Sequence, residues 1–328
     1  MDAKGRSEGM NQMLTESKID KSLLKKVIQE KFGISVISLT PVPKWKTVRA
    51  CMVESPKHTN FFLKIYSDDS IPDSAFMFAH DLYAKAGITN ITHPVATSNG
   101  QMRIQLGDIH IALFDLISGT TAEQHNLTEK QLERLGELLA RIHQSKARIG
   151  EYSVRERFAI PFGDRLVAIF NDMSKISSNS TNYKARLKFF LEPYRQKFMK
   201  ELKTLGELQR KVRRKNLEFV NCHGEPSPGN VFASDSGEVY LLDWDDPIFA
   251  PKEKDLLFFK DNIEPVMRGY SLFSKDNNID QDVMEFYGHM WNLGEIADYG
   301  GKILFGNHSD GQNQTWLDNL KGGWDFTF

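Results

Sequence analysis

Cysteine is scarce in this chain of 328 residues, which contains only Cys51 and Cys222. Two cysteines so far apart in sequence provide neither a disulfide framework nor the Cys-x-x-Cys spacing of a zinc site. We therefore expect a protein of a reducing compartment. Cys222 is interpreted as a buried residue of a strand rather than as a nucleophile.

Long apolar runs and an excess of charge of one sign are also missing. The longest apolar stretches are a few residues, well short of the roughly 20 that span a bilayer, and segment 1–19 has no apolar centre like that of a signal peptide. The 42 basic and 43 acidic side chains give a net charge of −1, whereas a nucleic-acid partner would need a clustered basic surface. We expect a soluble, cytoplasmic protein that binds neither membrane nor nucleic acid.

The remaining composition is typical of a globular protein with a substantial core, since 40% of the residues are hydrophobic and 26% are charged. At about 100–200 residues per domain, the length favours two domains or one two-lobed unit. We predict a disordered or loosely ordered N-terminus at 1–19, a β-rich N-lobe at 20–117 and a mainly helical C-lobe at 118–328.

Hydrophobic periodicity predicts the order of helices and strands in the N-lobe. A short helix begins near Asp20 and ends at Gly33, antiparallel strands follow, and a second helix ends before Gly87. The predicted segments are helices at 20–32 and 73–86, and strands at 36–37, 48–53, 61–66 and 102–117.

The C-lobe is predicted to be mainly helical, with one β-hairpin. Thr128 and Gln131 form a capping-box pattern before an apolar helical face, and the macrodipole favours His143 at the end of that helix. The predicted segments are helices at 128–143, 164–172, 183–215 and from 261 onward, a strand at 219–222, hairpin strands at 230–233 and 238–243, and a Gly- and Asn-rich tail from 300.

The stretch from His223 to Asp246 has the clearest chemical pattern. Glu225 and Asn230 are 5 positions apart in a loop between strands, and Asp243 follows Glu225 by 18 positions, where the hairpin returns a second carboxylate toward the loop. Such an oxygen-rich set suits Mg²⁺, which prefers carboxylate and carbonyl ligands together with water and substrate phosphates. Phosphoryl transfer needs these groups, and also a cation that contacts the nucleotide phosphates.

Lys64 is the candidate for that cation. In the predicted strand 61–66 it shares one face with Phe62 and Tyr66, because side chains alternate between the two faces of a strand. The residues on the other face are all apolar. A lysine between two aromatic residues on an otherwise apolar strand could point into a nucleotide cleft.

These motifs resemble the aminoglycoside phosphotransferase and choline kinase family of protein-kinase-like enzymes, whose loop reads H-G-D-x-x-x-x-N before a later I-D-[WFL] aspartate. Here the loop runs from His223-Gly224-Glu225 to Asn230, and Asp243-Trp244-Asp245 follows it. The run 222–258 is most similar to the spectinomycin phosphotransferase branch, and weaker similarities extend over roughly residues 23–300. The resemblance implies an α+β fold of two lobes, with an antiparallel β-rich N-lobe, a mainly helical C-lobe and the nucleotide between them.

The resemblance also implies a role for each matching residue. Glu225 has the position of the catalytic base, Asn230 and Asp243 have the Mg²⁺ positions, and Lys64 has the position that contacts nucleotide phosphates. The implied reaction moves the γ-phosphoryl group of ATP or GTP to a hydroxyl of a small cationic acceptor, an aminoglycoside or a spectinomycin-like aminocyclitol antibiotic. His223 is expected to bond the loop backbone rather than to act as a base.

The chain departs from the family pattern in three places. Glu225 occupies a position where most of the family has Asp, so its carboxylate is one methylene longer. No glycine occurs between Ile34 and Lys64, so the Gly-rich loop over the phosphates is missing. The helix after Lys64 lacks a clear Glu to pair with it, which leaves Asp73 as the nearest candidate. Nearby basic side chains are candidates to replace the contacts of the missing loop, namely Lys44, Lys46 or Arg49.

The acceptor side has one further signal, an acidic segment between Asp261 and Gly300. Eight acidic residues in it accompany two basic ones. The segment either attracts a cationic acceptor or is a solvated helical face. The aromatic residues within it could line a ligand site or belong to the core, and they are Phe286, Tyr287, Trp291 and Tyr299.

Two other functions remain open at this point. One is a metabolic small-molecule kinase that acts on a choline-like amine or a sugar. The other is a catalytically silent pseudokinase that binds a ligand or a partner, which is suggested by Glu225 and by the missing glycines.

Overall fold

The computed structural model describes residues 20–42, 49–56, 60–66, 71–146, 154–177 and 182–322. The predicted disorder at 1–19 lies outside these residues, as do Lys44 and Lys46. The described strands are β1 (Ser38–Pro41), β2 (Arg49–Glu54), β3 (Asn60–Tyr66), β4 (Ile104–Leu106), β5 (Ile109–Asp115), β6 (Gly119–Thr121), β7 (Val154–Arg155), β8 (Val220–Cys222), β9 (Val231–Ser234), β10 (Val239–Leu241) and β11 (Ile248–Ala250). The described α-helices are α1 (Lys21–Phe32), α2 (Asp73–Ala84), α3 (Glu129–His143), α4 (Gly163–Ser174), α5 (Tyr183–Leu191), α6 (Arg195–Val212), α7 (Glu253–Leu256), α8 (Ile263–Tyr270), α9 (Gln281–Phe305) and α10 (Asp310–Gly322).

Contacts between residues divide the chain into two compact units. The first comprises Met1–Arg155 and Phe219–Asn277, and it contains all of the strands named above. The second comprises Glu156–Glu218 and Asn278–Phe328, and it contains helices α4, α5, α6, α9 and α10. The domain boundaries after residues 19 and 117 stay predictions. None of the described helices combines the length and the apolar composition that crossing a membrane requires.

The N-terminal sheet of the first unit has the predicted antiparallel pairing, with the strand order β1-β2-β3-β5-β4. Helix α1 packs against it, so that Leu24 and Ile28 share a core with the apolar residues of the strands. The helix starts and stops where the sequence predicts. The Asp20 carboxylate accepts the Ser22 N–H at 2.8 Å, and Gly33 takes the left-handed conformation with a φ of 69°.

Residues 90–95, called the linking segment below, connect this sheet to the hairpin of β9 and β10. The main-chain hydrogen bonds that make the connection are Leu241 N to Asn90 O at 3.1 Å, Thr92 N to Leu241 O at 3.0 Å and Val95 N to Leu113 O at 2.7 Å. Leu241 precedes Asp243 by two residues, and β5, which contains Leu113, pairs with the strand of Lys64. The linking segment therefore sets the position of Asp243 relative to Lys64.

Helices α3 and α8 approach each other closely at two glycines. A Cβ atom at Gly136 would lie 1.9 Å from the Val266 carbonyl oxygen, and one at Gly269 would lie 1.8 Å from the Glu133 carbonyl oxygen. A larger residue at either position would force the two backbones apart. The capping box predicted at the start of α3 is present, because the Thr128 side chain accepts the Gln131 N–H and the Gln131 side chain accepts the Thr128 N–H.

The structure differs from the sequence prediction in three regions of the chain after residue 118. The short strands β6, β7 and β11 were not predicted, since two or three residues are too few to show an alternation. The predicted helix at 183–215 is divided into α5 and α6 by a 3₁₀ turn that contains Pro193, which has no N–H to donate. The predicted Gly- and Asn-rich tail is wrong, because α9 continues to Phe305 with Gly300 packed near Ile169, and α10 follows.

Replacing Gly269 by alanine is expected to lower the free energy of unfolding by about 1–3 kcal/mol, because the added methyl group must separate α8 from α3. Gly206→Ala is the matched control. Gly206 lies inside α6, and a Cβ there would contact only the Arg210 Nη1 at 3.9 Å. This variant should gain about 0.5–1 kcal/mol, since alanine is preferred inside helices. Urea denaturation measures the free energy of unfolding of both variants. Changes of equal sign and size in the two would contradict the close packing of α3 against α8.

Candidate active site

The loop after β8 is held in place by the buried carboxylate of Asp255. Its Oδ2 accepts the His223 N–H and its Oδ1 accepts the Gly224 N–H, both at 2.8 Å. Oδ2 also lies 2.9 Å from His143 Nε2, and His143 Nδ1 lies 2.8 Å from the Tyr270 hydroxyl. Burial raises the pKa of Asp255, but the hydrogen bond and charge of His143 outweigh it, so the pKa lies below its ordinary value.

His143 therefore has more than the predicted role at the end of a helix. It ends α3 as predicted, but its side chain is fully buried and connects this helix to Asp255. The roles of His143 and Asp255 were not predicted. Both lie in stretches that resemble the family, but a contact across 112 positions has no local sequence signal.

Cys222 lies beside this network as the buried strand cysteine that the sequence predicts. It is fully buried, and burial raises the pKa of its thiol well above the ordinary value. Its Sγ and donor atoms of His143 and Asp255 lie within 4.8 Å of one another. His143 and Asp255 are already hydrogen-bonded to each other, however, so we interpret the three residues as a structural cluster rather than as a metal site.

Gly224 brings the loop against the hairpin. Its φ is +96°, and a Cβ at this position would lie 2.1 Å from the Asp246 carbonyl oxygen. Both the backbone conformation and the space require glycine, because a side chain would be strained and would collide with the backbone. The loop before Glu225 is therefore in direct contact with the turn that follows Asp245.

His223 joins the loop and the hairpin through backbone groups, as predicted. Its Nδ1 accepts the Glu225 N–H at 3.3 Å, which places the ring proton on Nε2, where it is donated to the Leu242 carbonyl oxygen at 2.8 Å. Burial lowers the pKa of His223, although the charge of the neighbouring Asp255 opposes this. The lowered pKa favours the neutral ring. The histidine thus positions Glu225 next to the residue that precedes Asp243.

Asn230 and Glu225, the predicted loop residues, are hydrogen-bonded to each other. The Asn230 Nδ2 donates to the Glu225 carbonyl oxygen at 2.8 Å, and the Leu242 N–H donates to the Asn230 carbonyl oxygen at 2.8 Å. With Nδ2 engaged in this way, Oδ1 is the end of the amide that a metal ion could take. The main chain of Asn230 is fixed beside that of Asp243.

Lys64 contacts the hairpin carboxylates within the first unit. Its side chain is 8% exposed, and its Nζ bonds to Asp243 Oδ1 and lies 3.6 Å from Asp245 Oδ2. The rings of Tyr66 and Phe114 have their centroids 5.8 Å from Nζ. Tyr66 is the aromatic neighbour that strand alternation predicts, whereas Phe114 is brought in by the pairing of β3 with β5.

The arrangement is chemically suited to a further cation. Burial raises the pKa of Asp243, but the Lys64 ammonium outweighs this and lowers it below its ordinary value. Burial raises the pKa of Asp245 to about 8; Lys64 opposes that rise and the Asp243 carboxylate adds to it. Asp245 therefore tends to hold a proton in this state, and a divalent cation could take the place of that proton between the two carboxyl groups. Together with the Asn230 amide oxygen, they are oxygen donors of the kind that Mg²⁺ prefers.

The expected pairing of Asp73 with Lys64 is wrong. The Asp73 carboxylate accepts the Arg103 Nε–H at 2.5 Å, and the Asp73 side chain is 73% exposed. Asp81, the other acidic residue of α2, pairs with Lys85 at 2.8 Å. The guanidinium of Arg103, which the sequence did not single out, therefore takes the carboxylate that was assigned to Lys64.

Aromatic rather than acidic residues connect α2 to the site. The Phe76 ring lies 5.8 Å from the Tyr66 ring and 6.5 Å from the Phe114 ring, between centroids. The Phe78 ring lies 5.7 Å from the ring of Trp244. Helix α2 thus packs against Tyr66 and Phe114, the two aromatic residues next to Lys64.

The acidic segment at 261–300 is partly neutralised. Asp280 and Asp282 lie within 2.6 Å of the side chains of two lysines, one in the last turn of α6 and one just after it. Two of the aromatic residues, Phe286 and Tyr287, are buried core residues. The ion pairs of the segment are Asp280–Lys215, Asp282–Lys211, Asp282–Lys215, Asp298–Lys302 and Asp276–Lys252.

A comparison with family profiles finds a match to the phosphotransferase enzyme family over residues 39–256, which is more than half of the chain. A comparison with curated proteins finds no match. The predicted relationship to phosphotransferases is therefore supported by the family profile over both the N-terminal sheet and the loop that contains Glu225.

Solved structures of similar fold cover nearly the whole chain. A spectinomycin phosphotransferase, solved with ADP and spectinomycin, is 22% identical with a TM-score of 0.84, over 94% of this chain and 95% of that one. An aminoglycoside phosphotransferase from Alicyclobacillus acidocaldarius is 13% identical with a TM-score of 0.61, over 94% and 98%. The choline kinase of Streptococcus pneumoniae is 13% identical with a TM-score of 0.53, over 92% and 98%. These likenesses confirm the predicted kinase-like fold.

Asp255→Asn is expected to lower the free energy of unfolding by about 3 kcal/mol at pH 7, because the amide replaces a buried carboxylate that accepts hydrogen bonds from several donors. The pKa of Asp255 is lower in the folded state than the ordinary 3.8, so its stabilisation is complete above that pH and is lost as the pH falls below it. The deficit of the variant should therefore shrink at pH 3.

Chemical denaturation at pH 7 and pH 3 measures this difference between the two proteins. The exposed Asp261 provides the control, since Asp261→Asn should leave the free energy of unfolding within about 0.5 kcal/mol of the original value. A deficit of the Asp255 variant that is the same at both pH values would contradict the assigned role of the carboxylate charge.

Proposed function

The chain belongs to the phosphotransferase enzyme family, and from this membership we propose that it moves the γ-phosphoryl group of ATP or GTP to a hydroxyl group of an aminoglycoside or spectinomycin-like aminocyclitol antibiotic, with Mg²⁺. The observation that carries the proposal is the chain of contacts from Lys64 to Asp243 and, through the backbone next to it, to Asn230 and Glu225. The likeness to a spectinomycin phosphotransferase over nearly the full chain supports the acceptor class.

Glu225 is assigned the acceptor side of the reaction. Its carboxylate orients the attacking hydroxyl and accepts its proton as the bond to phosphorus forms. In a loose transition state the nucleophile needs positioning more than a strong base, so a carboxylate one methylene longer than that of aspartate is compatible with the role. The hydrogen bonds of the Glu225 backbone to His223 and Asn230 fix where this side chain starts.

Lys64, Asn230 and Asp243 are assigned the donor side. The Lys64 ammonium would neutralise charge on the nucleotide phosphates, and the Asn230 amide oxygen and the Asp243 carboxylate would hold Mg²⁺. Mg²⁺, when bound, supplies positive charge to the phosphate oxygens. The burial of Lys64 beneath Tyr66 and Phe114 strengthens its electrostatic effect, because these side chains exclude water from it.

A catalytically silent protein that binds nucleotide is the second candidate, and Glu225 at the position of the base is the observation that favours it. A metabolic kinase with a choline-like amine or a sugar as acceptor would use the same donor-side residues. These possibilities differ in which acceptor, if any, gains a phosphoryl group.

Incubating the purified protein with Mg²⁺ and either ATP or GTP should add one phosphoryl group to spectinomycin or to an aminoglycoside, because Lys64 contacts Asp243 and the loop of Asn230 and Glu225 is hydrogen-bonded to the same hairpin. Mass spectrometry of an acceptor panel that also includes choline and simple sugars measures this gain. If only choline or a sugar gains the phosphoryl group, the protein is a metabolic kinase and the antibiotic acceptor is wrong. Nucleotide binding with no acceptor modified would favour the silent protein.

Asp243→Asn is expected to reduce turnover by about 100-fold or more, since it removes a charge next to the transferring group. Asp246→Asn is the matched control, because Asp246 is an exposed acidic residue three positions further on, and it should keep its rate. Steady-state rates with the acceptor found above measure both variants. Full turnover by the Asp243 variant would contradict the assignment of Asp243 as a Mg²⁺ ligand.

Glu225→Gln should lower kcat by about 100-fold or more, because it removes the group that accepts the proton. Glu225→Asp keeps the charge and should lose much less. Rates measured at saturating nucleotide separate this effect from changes in nucleotide binding. A Gln variant as active as the Asp variant would show that the carboxylate does not act as the base.

A further inference from the structure

Lys64 has a second acidic neighbour besides its proposed metal ligand. Its Nζ bonds to Asp243 and lies 3.6 Å from Asp245 Oδ2. An aspartate that shares its charge with Mg²⁺ attracts an ammonium less strongly. Because the lysine side chain is long and flexible, its ammonium then needs another fixed anion to remain aimed at the phosphates. Asp245 is an acidic residue already in that place, and the positive charges of the ammonium and of a metal ion on Asp243 would favour its ionised form.

Helix α2 does not provide this anion in the structure. Both of its acidic residues pair with other basic residues, Asp73 with Arg103 and Asp81 with Lys85. Its contacts with the surroundings of Lys64 are made by the ring of Phe76. The Glu that the family resemblance implies on this helix therefore has no equivalent there.

The main chain of Asp245 is well fixed on both sides. Trp244, before it, is 5% exposed, and its ring lies 5.7 Å from that of Phe78 and 4.4 Å from that of His223. Asp246, after it, has its carbonyl oxygen against Gly224. A carboxylate carried by such a constrained segment can hold a flexible partner at small entropic cost.

We infer that Asp245 is a positioning residue for nucleotide binding, which holds the Lys64 ammonium in place of the acid that α2 lacks while Asp243 serves the metal ion. This inference rests on the proposed function, since it takes Asp243 as the Mg²⁺ ligand and Lys64 as the phosphate contact. Asp245 acts through Lys64 and does not itself touch the nucleotide.

A double-mutant cycle on the affinity for Mg²⁺-ADP tests the inference. Asp245→Asn preserves the shape of the side chain and removes its charge, and it should weaken binding by about tenfold, within the range of coupling between charged neighbours. In a Lys64→Met background the same substitution should cost less than about twofold, because the group through which it acts is gone. Isothermal titration calorimetry measures the four dissociation constants.

Asp246→Asn is the matched control and should bind as tightly as the original protein. An Asp245→Asn effect of equal size with and without Lys64 would overturn the inference, since a metal ligand or a purely structural residue would act independently of that lysine. No effect in either background would overturn it as well. Failure of the original protein to bind Mg²⁺-ADP would instead overturn the proposed function, so the two failures can be told apart.

Discussion

The buried carboxylate of Asp255 fixes the loop on which the candidate site depends. It accepts the N–H groups of His223 and Gly224 and is itself held by His143. A carboxylate without partners in such an environment would be strongly destabilising, so the carboxylate and the loop stabilise each other. Because His143 ends α3, the position of the loop also depends on the close packing of α3 against α8, where glycines let the two backbones touch.

Charge determines how the rest of the site is arranged. Lys64 lies on an otherwise apolar strand and is compensated by Asp243 and Asp245, both from the segment after β10. Moving both carboxylates away would take acidic partners from a buried ammonium, so electrostatic attraction adds to the main-chain links that join the hairpin to the N-terminal sheet. Burial, with the Asp243 charge added to it, raises the pKa of Asp245, and a divalent cation could replace the proton that this carboxyl group tends to hold.

Local patterns in the sequence predicted much of this arrangement. The capping box at Thr128, the stop at Gly33 and the face of Lys64 follow from spacings of two to four residues. The nearness of Asn230 and Asp243 could be predicted because one hairpin separates them. Contacts over long separations were missed, since the pairing of His143 with Asp255 or of Asp73 with Arg103 depends on how distant elements pack.

The linking segment at 90–95 spans the sheet and the hairpin with main-chain hydrogen bonds. Backbone N–H and C=O groups are the same in almost every amino acid, and proline alone lacks the donor. These main-chain links therefore do not depend on the identity of the side chains, but Asn90 adds a link that does, since its Nδ2 donates to the Val239 carbonyl oxygen at 3.2 Å. A lineage could change the side chain of Thr92 and still keep its main-chain bond to Leu241, and with it the distance from Lys64 to Asp243, whereas the buried Ile91 and the hydrogen-bonded Asn90 are constrained by their own contacts.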